Sequence, residues 1–382
     1  MSMDVFFEAE PSVEAFEKKL HGIYEQTQAS TVLVFAADEN NWTAEALNPV
    51  LLQAKASVLG GIFPQIIYAQ QNYSKGVVFV ALQSAVEWAS LSGLSDITNN
   101  FDRQLEPLAE HWEAMPVPAI QLVLVDGLST CISAMIDALF MNFGLVNNFI
   151  GGGAGSLSFM QKPCLLTPKG MLMDATLLVR LPLASGVGVS HGWQAISQSF
   201  KVTSSEKTCV KQLDWKPAFD AYQQVVEAHS GQEFNADNFY DLAKFYPFGV
   251  NKLDAEMIVR DPLMLSTDQA MVCVGEVPEG SFVRILNGTE ESLLAAAAEA
   301  CKRAQAAHRQ QTDHPVQLGC FINCISRVLF EGDHLKNEIA KVSGDYPLFG
   351  ALTLGEIANS GKDYLEFYNK TAVLGLLSEV ES

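Results

Sequence analysis

Three stretches of this chain follow one plan, and that plan limits the folds open to it. In the last copy, Val316–Phe321 is an apolar run and a helical pattern spans Ile325 to Val342. Pro347–Ala351 then enters a Gly355-Glu356 turn, and Tyr364–Tyr368 and Thr371–Leu377 close the unit. In the first copy, Thr31–Ala37 is the apolar run, Ala44–Ala56 the helix and Val58–Phe63 the next strand. Lys75-Gly76 then leads into Val77–Leu82. In the middle copy, Ala119–Val125 precedes a helix near Thr130–Phe143. Val146–Ile150 runs into the turn Gly151–Gly155, and Asp174–Leu181 closes the unit. The plan is clearest around Phe349–Ile357, with weaker echoes at Leu59–Ile67 and Phe149–Ser156. Each copy reads as strand, helix, strand, Gly-rich turn, strand. Such units are too long and irregular for a solenoid. The fold class expected is α/β: two packed domains built from repeated units, with mixed sheets flanked by helices, because hairpins and helical crossovers both occur.

The intervening segments are read in order. Glu14–Glu25 is an amphipathic helix carrying Phe16, Leu20, Ile23 and Tyr24, and Val86–His111 is a polar helical connection. Gly186–Trp193 is a glycine-spaced bend. Ile196, Phe200 and Val202 alternate with polar residues as a half-buried strand does. Leu213–Ala218 is the boundary candidate, which divides the chain into domains 1–214 and 215–382; Pro217 fits the first turn of the helix that follows. Phe239–Phe245 is a short helix. Met257–Val259 and Met271–Gly275 are strands joined by a turn at Asp261-Pro262, and Ser281–Leu286 is a further strand. Thr289 caps a long helix to Arg309, with Glu290 and Glu291 in its first turn and Lys302 and Arg303 toward its end, as the helix dipole favours.

Composition narrows the function classes. Of 382 residues, 48% are hydrophobic and 18% charged, enough for a sizeable core and unlike a disordered chain. A formal net charge of −20 argues against a nucleic-acid or anionic-membrane partner, since phosphate binding needs a basic surface. No apolar run has the length of a membrane span, and Met1–Glu10 lacks the basic start of a signal peptide. Seven scattered cysteines read as reduced thiols, which places the protein in the cytosol.

Several motifs invite chemistry and are weighed against plainer roles. Gly188-Val189-Ser190-His191-Gly192 matches the G-x-S-x-G of a nucleophile elbow, but the helix that chemistry needs does not follow. Gly151–Gly155 could offer backbone N–H groups to a phosphate, yet Ser156 stands where a dinucleotide fingerprint has its third glycine. A tight turn with close backbone approach fits better. Cys320 and Cys324, near His308, His314 and His334 in sequence, lack the paired spacing of a zinc site and read as buried thiols. No cofactor or metal is expected, and no acid/base pair at fixed spacing supports catalysis.

The motifs taken together resemble the FIST sensory domain. The resemblance rests on Ile150–Gly155 and Val189–Trp193 in the N-terminal part. In the C-terminal part it rests on Leu213–Ala218, Asn323–Arg327, Phe349–Ile357 and Phe367–Thr371. It implies a module that binds a small ligand, an amino acid or related metabolite, and that works with a signalling partner such as a kinase or chemoreceptor. Under this reading Arg327 holds a ligand carboxylate, its alternative being an ion pair with a neighbouring acid. Glu356 takes an ammonium group, with Thr353 and the backbone of Gly152 and Gly153 completing the wall. His191 and Asn369 are further contacts, each with a structural role as its alternative. A hydrolase or transferase using Ser190 or a thiol, and a scaffold for a signalling partner, are the competing functions.

Overall fold

The computed structural model describes residues 3–115, 118–144, 147–235, 237–252, 256–359 and 364–380. The first unit runs β1 (Met3–Glu8), α1 (Val13–Thr27), β2 (Thr31–Ala37), α2 (Ala44–Gln53), β3 (Ser57–Phe63), β4 (Gln65–Tyr68), β5 (Gln71–Tyr73) and β6 (Val77–Leu82). The second has the same order: β7 (Glu87–Ser92), α3 (Phe101–Glu113), β8 (Ile120–Asp126), α4 (Ile132–Phe143), β9 (Asn148–Ala154), β10 (Leu165–Thr167), β11 (Gly170–Leu172) and β12 (Ala175–Leu181). The third opens with β13 (Leu183–Ser190) and is then interrupted. Its insert carries β14 (Gln194–Ala195), β15 (Phe200–Glu206), β16 (Cys209–Leu213), β17 (Lys216–Pro217), α5 (Ala218–Ser230), α6 (Phe239–Ala243), β18 (Phe248–Val250), β19 (Ile258–Leu265), β20 (Met271–Val274) and β21 (Phe282–Asn287). The unit then resumes with α7 (Glu290–Gln311), β22 (Leu318–Cys324), α8 (Ile325–Glu331), α9 (Leu335–Val342), β23 (Leu348–Thr353), β24 (Glu356–Ala358), β25 (Glu366–Tyr368) and β26 (Ala372–Glu379).

Each unit builds the same six-stranded sheet. The orders are β1-β6-β2-β3-β10-β11, β7-β12-β8-β9-β24-β25 and β13-β26-β22-β23-β4-β5. In each, the first helix-linked pair is parallel and the unit's last strand is antiparallel to it. The outermost hairpin always comes from another unit. The second lends β10–β11 to the first, the third lends β24–β25 to the second, and the first lends β4–β5 to the third. The three units therefore close a ring. Registers are equivalent too: Gly60, Gly151 and Gly350 face Val34, Val123 and Phe321 across the parallel pairs. A Cβ at these glycines would lie 1.9, 1.8 and 1.8 Å from the facing carbonyl oxygen, so only glycine fits. The central strands β2 and β6 are buried along their length, which is why they read as unbroken apolar runs. Phe35 meets Phe63 at 5.4 Å and Phe349 of the third unit at 5.2 Å, joining the units through aromatic contact.

The insert is antiparallel. Its strands run β21-β15-β16-β20-β19-β18, and β18 pairs back onto β21, which closes a six-stranded barrel. Val202, Val210, Phe248, Met271, Val283 and Ile285 fill it, with Tyr222 of α5 donating to the Tyr246 carbonyl at 2.8 Å.

The mixed α/β architecture with sheets flanked by helices is as expected, and β2 and β6 have the predicted limits. Thr289 caps α7 through a box with Ser292. The division near residue 214 falls between β16 and β17. Other readings are corrected. Gly186–Ser190 is strand rather than bend, because its glycines let α7 lie directly on β13: a Cβ at Gly188 would sit 1.9 Å from the Ala300 carbonyl oxygen. Gly151–Gly153 likewise lie within β9 rather than in a turn. Val86–His111 divides into edge strand β7 and helix α3. Asp261-Pro262 lies inside β19 at a bulge, and the strand expected from Ile196 begins only at Phe200. Pro217 is the N-cap of α5 rather than part of its first turn. Val146, expected to open β9, lies outside the described residues.

Candidate functional site

The register equivalence locates one place where the units diverge. Asn323, Val125 and Ala36 occupy the same position of the first strand; Thr353, Ala154 and Phe63 the same position of the second. On the incoming hairpins, Glu356 faces Gly152, Leu165 faces Gly61 and Ile66 faces Ala351, again one equivalent position. Two units put small or apolar residues at these points. The third puts a carboxyl, a hydroxyl and an amide there, all buried.

Glu356 is held by donors. Its Oε2 accepts the Thr371 N–H at 3.2 Å, and its Oε1 lies 3.1 Å from the Thr353 hydroxyl, which is also 3.2 Å from the Asn323 carbonyl oxygen. Burial nevertheless pushes its pKa up to about 8, against those donors and the Arg327 charge. Cys324 adjoins it, pushed up to about 12 by burial and by the Glu356 carboxylate, with the Ser326 hydroxyl 2.9 Å from its sulfur. Asn323 Oδ1 accepts the Cys324 N–H at 2.9 Å, while among the described residues its Nδ2 has no partner. Asn369 is 1% exposed, and among the described residues neither Oδ1 nor Nδ2 of its amide has a hydrogen-bond partner. A buried amide left unpaired costs on the order of 1–3 kcal/mol per group, so this arrangement is expensive for the fold alone.

An outer layer of ion pairs encloses this centre. Arg327 is fully buried and takes the alternative open to it. Its Nη2 and Nε lie 2.7 and 3.0 Å from Glu338 Oε1, Nη1 donates to the His191 and Lys370 carbonyls at 2.8 and 3.1 Å, and Nη2 also donates to the Leu293 carbonyl at 3.2 Å. A guanidinium so engaged pins β13, α7 and the start of β26 together rather than presenting itself to a ligand carboxylate. Lys370 is paired with Asp261 of the barrel at 3.1 Å, donates to the Lys244 carbonyl at 3.0 Å and lies 5.1 Å from the Trp193 ring centroid. His191 accepts the Trp193 N–H on Nδ1 at 2.8 Å and brings Nε2 to 3.5 Å from Glu256. Burial lowers its pKa, so it stays neutral with the proton on Nε2. Tyr240 of α6, partly exposed, stands at the rim; burial and the charges of Asp261 and Cys324 push its phenol up to about 12.

Of the residues expected to form a site, Glu356 and Thr353 meet at 3.1 Å, Asn369 lies buried two residues before Thr371, whose N–H reaches Glu356, and Arg327 and His191 belong to the surrounding layer. Gly152 and Gly153 have their backbone committed to β-pairing: Gly153 donates to the Gly355 carbonyl at 2.8 Å and accepts from Leu354 at 2.9 Å. A Cβ at Gly152 would lie 2.6 Å from the Gly355 oxygen, so these glycines make room for the turn that carries Glu356. Sequence reading missed Asn323, Glu338, Asp261 and Lys370. Aligning the three units on Gly60, Gly151 and Gly350 would have exposed Asn323. Nothing local marks Glu338, eleven residues from its partner.

The competing chemistries find little support. Ser190 Oγ donates to Glu256 at 3.3 Å, and no imidazole nitrogen accepts from it among the described residues. Burial raises the thiols of Cys164, Cys273, Cys320 and Cys324, which works against a thiolate nucleophile. Among the described residues no three metal-ligating side chains gather. His308 instead meets the Ser378 hydroxyl at 2.9 Å, and His334 meets Glu290 at 2.9 Å. No described helix is long and apolar enough to cross a membrane.

Compared with known families, residues 30–216 match the FIST N domain and residues 218–359 match the FIST C domain. No curated protein matches the chain.

Proposed function

The chain belongs to the FIST family, whose domains are sensory modules of signal transduction, and on that premise we propose that it binds a small polar metabolite at the Glu356–Asn369 centre. The observation that carries this reading is the Asn369 amide, buried with both its donor and its acceptor unmatched among the described residues. A ligand with its own acceptor and donor would satisfy it. An amino acid or related metabolite has that character. Its carboxylate would accept from the Asn369 and Asn323 amides, and its ammonium would sit beside Glu356 and Thr353. The ammonium would draw Glu356 into its carboxylate form, so binding near neutral pH releases a proton.

The signal follows from position. The barrel reaches this region through Asp261, which pairs with Lys370 next to Asn369. A ligand entering past Tyr240 would change how the barrel sits on the third unit, and a partner such as a kinase or chemoreceptor would read that change. Thermal shift against an amino-acid library tests the proposal, with ligand at a hundred times its dissociation constant contributing about 2.7 kcal/mol of stability. We expect one chemical class to raise Tm in the wild type and fail in Asn369→Ala. Calorimetry of that ligand in two buffers should show an enthalpy difference from the released proton. No stabilising compound, or equal stabilisation of Asn369→Ala, would overturn it.

A further inference from the structure

A second cleft, of about 310 Å³, lies between α4 of the second unit, β18 and β19 of the barrel, and β25. Arg260 reaches it from β19 and is only 6% exposed. Its guanidinium is fixed by main-chain acceptors alone: Nε donates to the Glu276 carbonyl at 2.9 Å, and Nη1 to the Val259 and Phe367 carbonyls at 3.1 and 2.9 Å. The loop is shaped around it, since Gly275 has φ +79° and a Cβ there would lie 2.9 Å from Arg260 Nε. Two other buried cations have an acid within ion-pair distance, Glu338 for Arg327 and Asp261 for Lys370. Among the described residues Arg260 has no ion-pair partner and no acceptor on Nη2. Glu366 and Glu276, which also line the cleft, act on Arg260 through space without closing an ion pair, so the guanidinium keeps room for a further anionic partner.

The walls say which anion. Glu366 at the edge is neutralised by Lys252 at 2.5 Å. Asp137 of α4 stands across the cleft with no ion pair among the described residues, its pKa raised by partial burial and held back by Lys252. Ser133, one turn earlier on the same helix, adds a hydroxyl. Acids around the mouth repel a multiply charged phosphate. They accept a carboxylate that carries its own ammonium, whose positive end can turn to Asp137. The planar fork of Arg260 suits a carboxylate. We propose that this cleft is a second ligand site, independent of the Glu356–Asn369 centre, in which Arg260 binds the carboxylate of a compact amino acid and Asp137 receives its ammonium. Through the Phe367 carbonyl the site also touches β25, and the Phe367 ring packs against Gly355 beside Glu356.

Saturation-transfer NMR on the full chain tests this with β-alanine, acetate and inorganic phosphate as probes. Because Arg260 is buried, the informative variant is Ser133→Trp, which fills the cleft from the helix side and leaves the guanidinium untouched. We expect a signal from β-alanine that is at least threefold stronger than that from acetate. It should be lost in Ser133→Trp, kept in Asn369→Ala, and unaffected by equimolar phosphate. Arg260→Lys, which keeps the charge but loses the fork, should weaken β-alanine binding at least tenfold. No signal, a signal kept in Ser133→Trp, or displacement by phosphate would overturn the proposal. Loss in Asn369→Ala but not in Ser133→Trp would place binding at the other centre and equally end it.

Discussion

The first two units end their parallel strand pairs in small or apolar side chains, and the third ends its pair in buried Asn323, Thr353 and Glu356. The backbone is the same in all three, down to the glycine that faces a carbonyl across the pair. Fold stability alone is met by Ala36, Phe63 and Ile66 in one copy and by Val125, Ala154 and Leu165 in another. The molecule thus contains two internal controls, and against them the polar centre is a departure that packing does not ask for. Residues that break a local rule without an evident gain in stability are where function is to be sought. The insertion of the barrel into the same unit, with its Asp261 paired to Lys370, fits that reading.

The largest expected effects test the equivalence itself. Gly60→Ala, Gly151→Ala and Gly350→Ala each drive a Cβ into a carbonyl oxygen, and each should cost about 3 kcal/mol or more in urea unfolding, at the top of the overpacking range. One tolerated substitution among the three would break the register argument. Next comes the wall of the centre. Glu338→Ala takes the Glu338 carboxylate from the buried Arg327 and should cost about 3–5 kcal/mol, whereas the double change Arg327→Met with Glu338→Leu should cost clearly less. Equal losses would mean that the pair's carbonyl contacts, not its charges, hold the layer.

Glu356 gives a pH signature of intermediate size. Its folded pKa, raised to about 8, exceeds the ordinary carboxyl value. Between about pH 4.5 and 8 the folded state therefore holds a proton that the unfolded state has lost, and stability falls as pH rises through that window. Glu356→Gln should flatten this slope and raise Tm more at pH 8 than at pH 5; a parallel shift at both values would refute the raised pKa. The smallest effect sharpens the comparison most. Asn323→Val with Thr353→Ala gives the third unit the residues of the second. Stability should change by no more than about 1 kcal/mol, while any ligand-induced Tm shift disappears. A loss as large as that of Glu338→Ala would make the cluster structural after all.

How much of this the sequence carried follows from the range of each signal. The unbroken apolar runs of β2 and β6 and the cap at Thr289 are local, and their elements were legible. Glycines misled twice: at Gly151–Gly153 and at Gly186–Gly188 they serve close approach inside strands rather than turns. β7 is an edge strand with a half-polar pattern, so Glu87–Ser92 merged with the helix that follows it. The sequence singles out Glu356, Thr353 and Asn369 through the turn and the closing strands. The fate of Arg327 depends on Glu338, and of Lys370 on Asp261 of the barrel, and no periodicity records such pairings.

The traded hairpins have a consequence for biosynthesis. The β4–β5 hairpin leaves the ribosome within the first 73 residues, yet its sheet partner β23 starts only at Leu348. A nascent first unit can neither place its own hairpin nor cover the edge of β3, which waits for β10–β11. The ring therefore locks late and as a whole, through contacts remote in sequence, and a protein shortened from its C-terminus leaves an early-made hairpin with nothing to pair against.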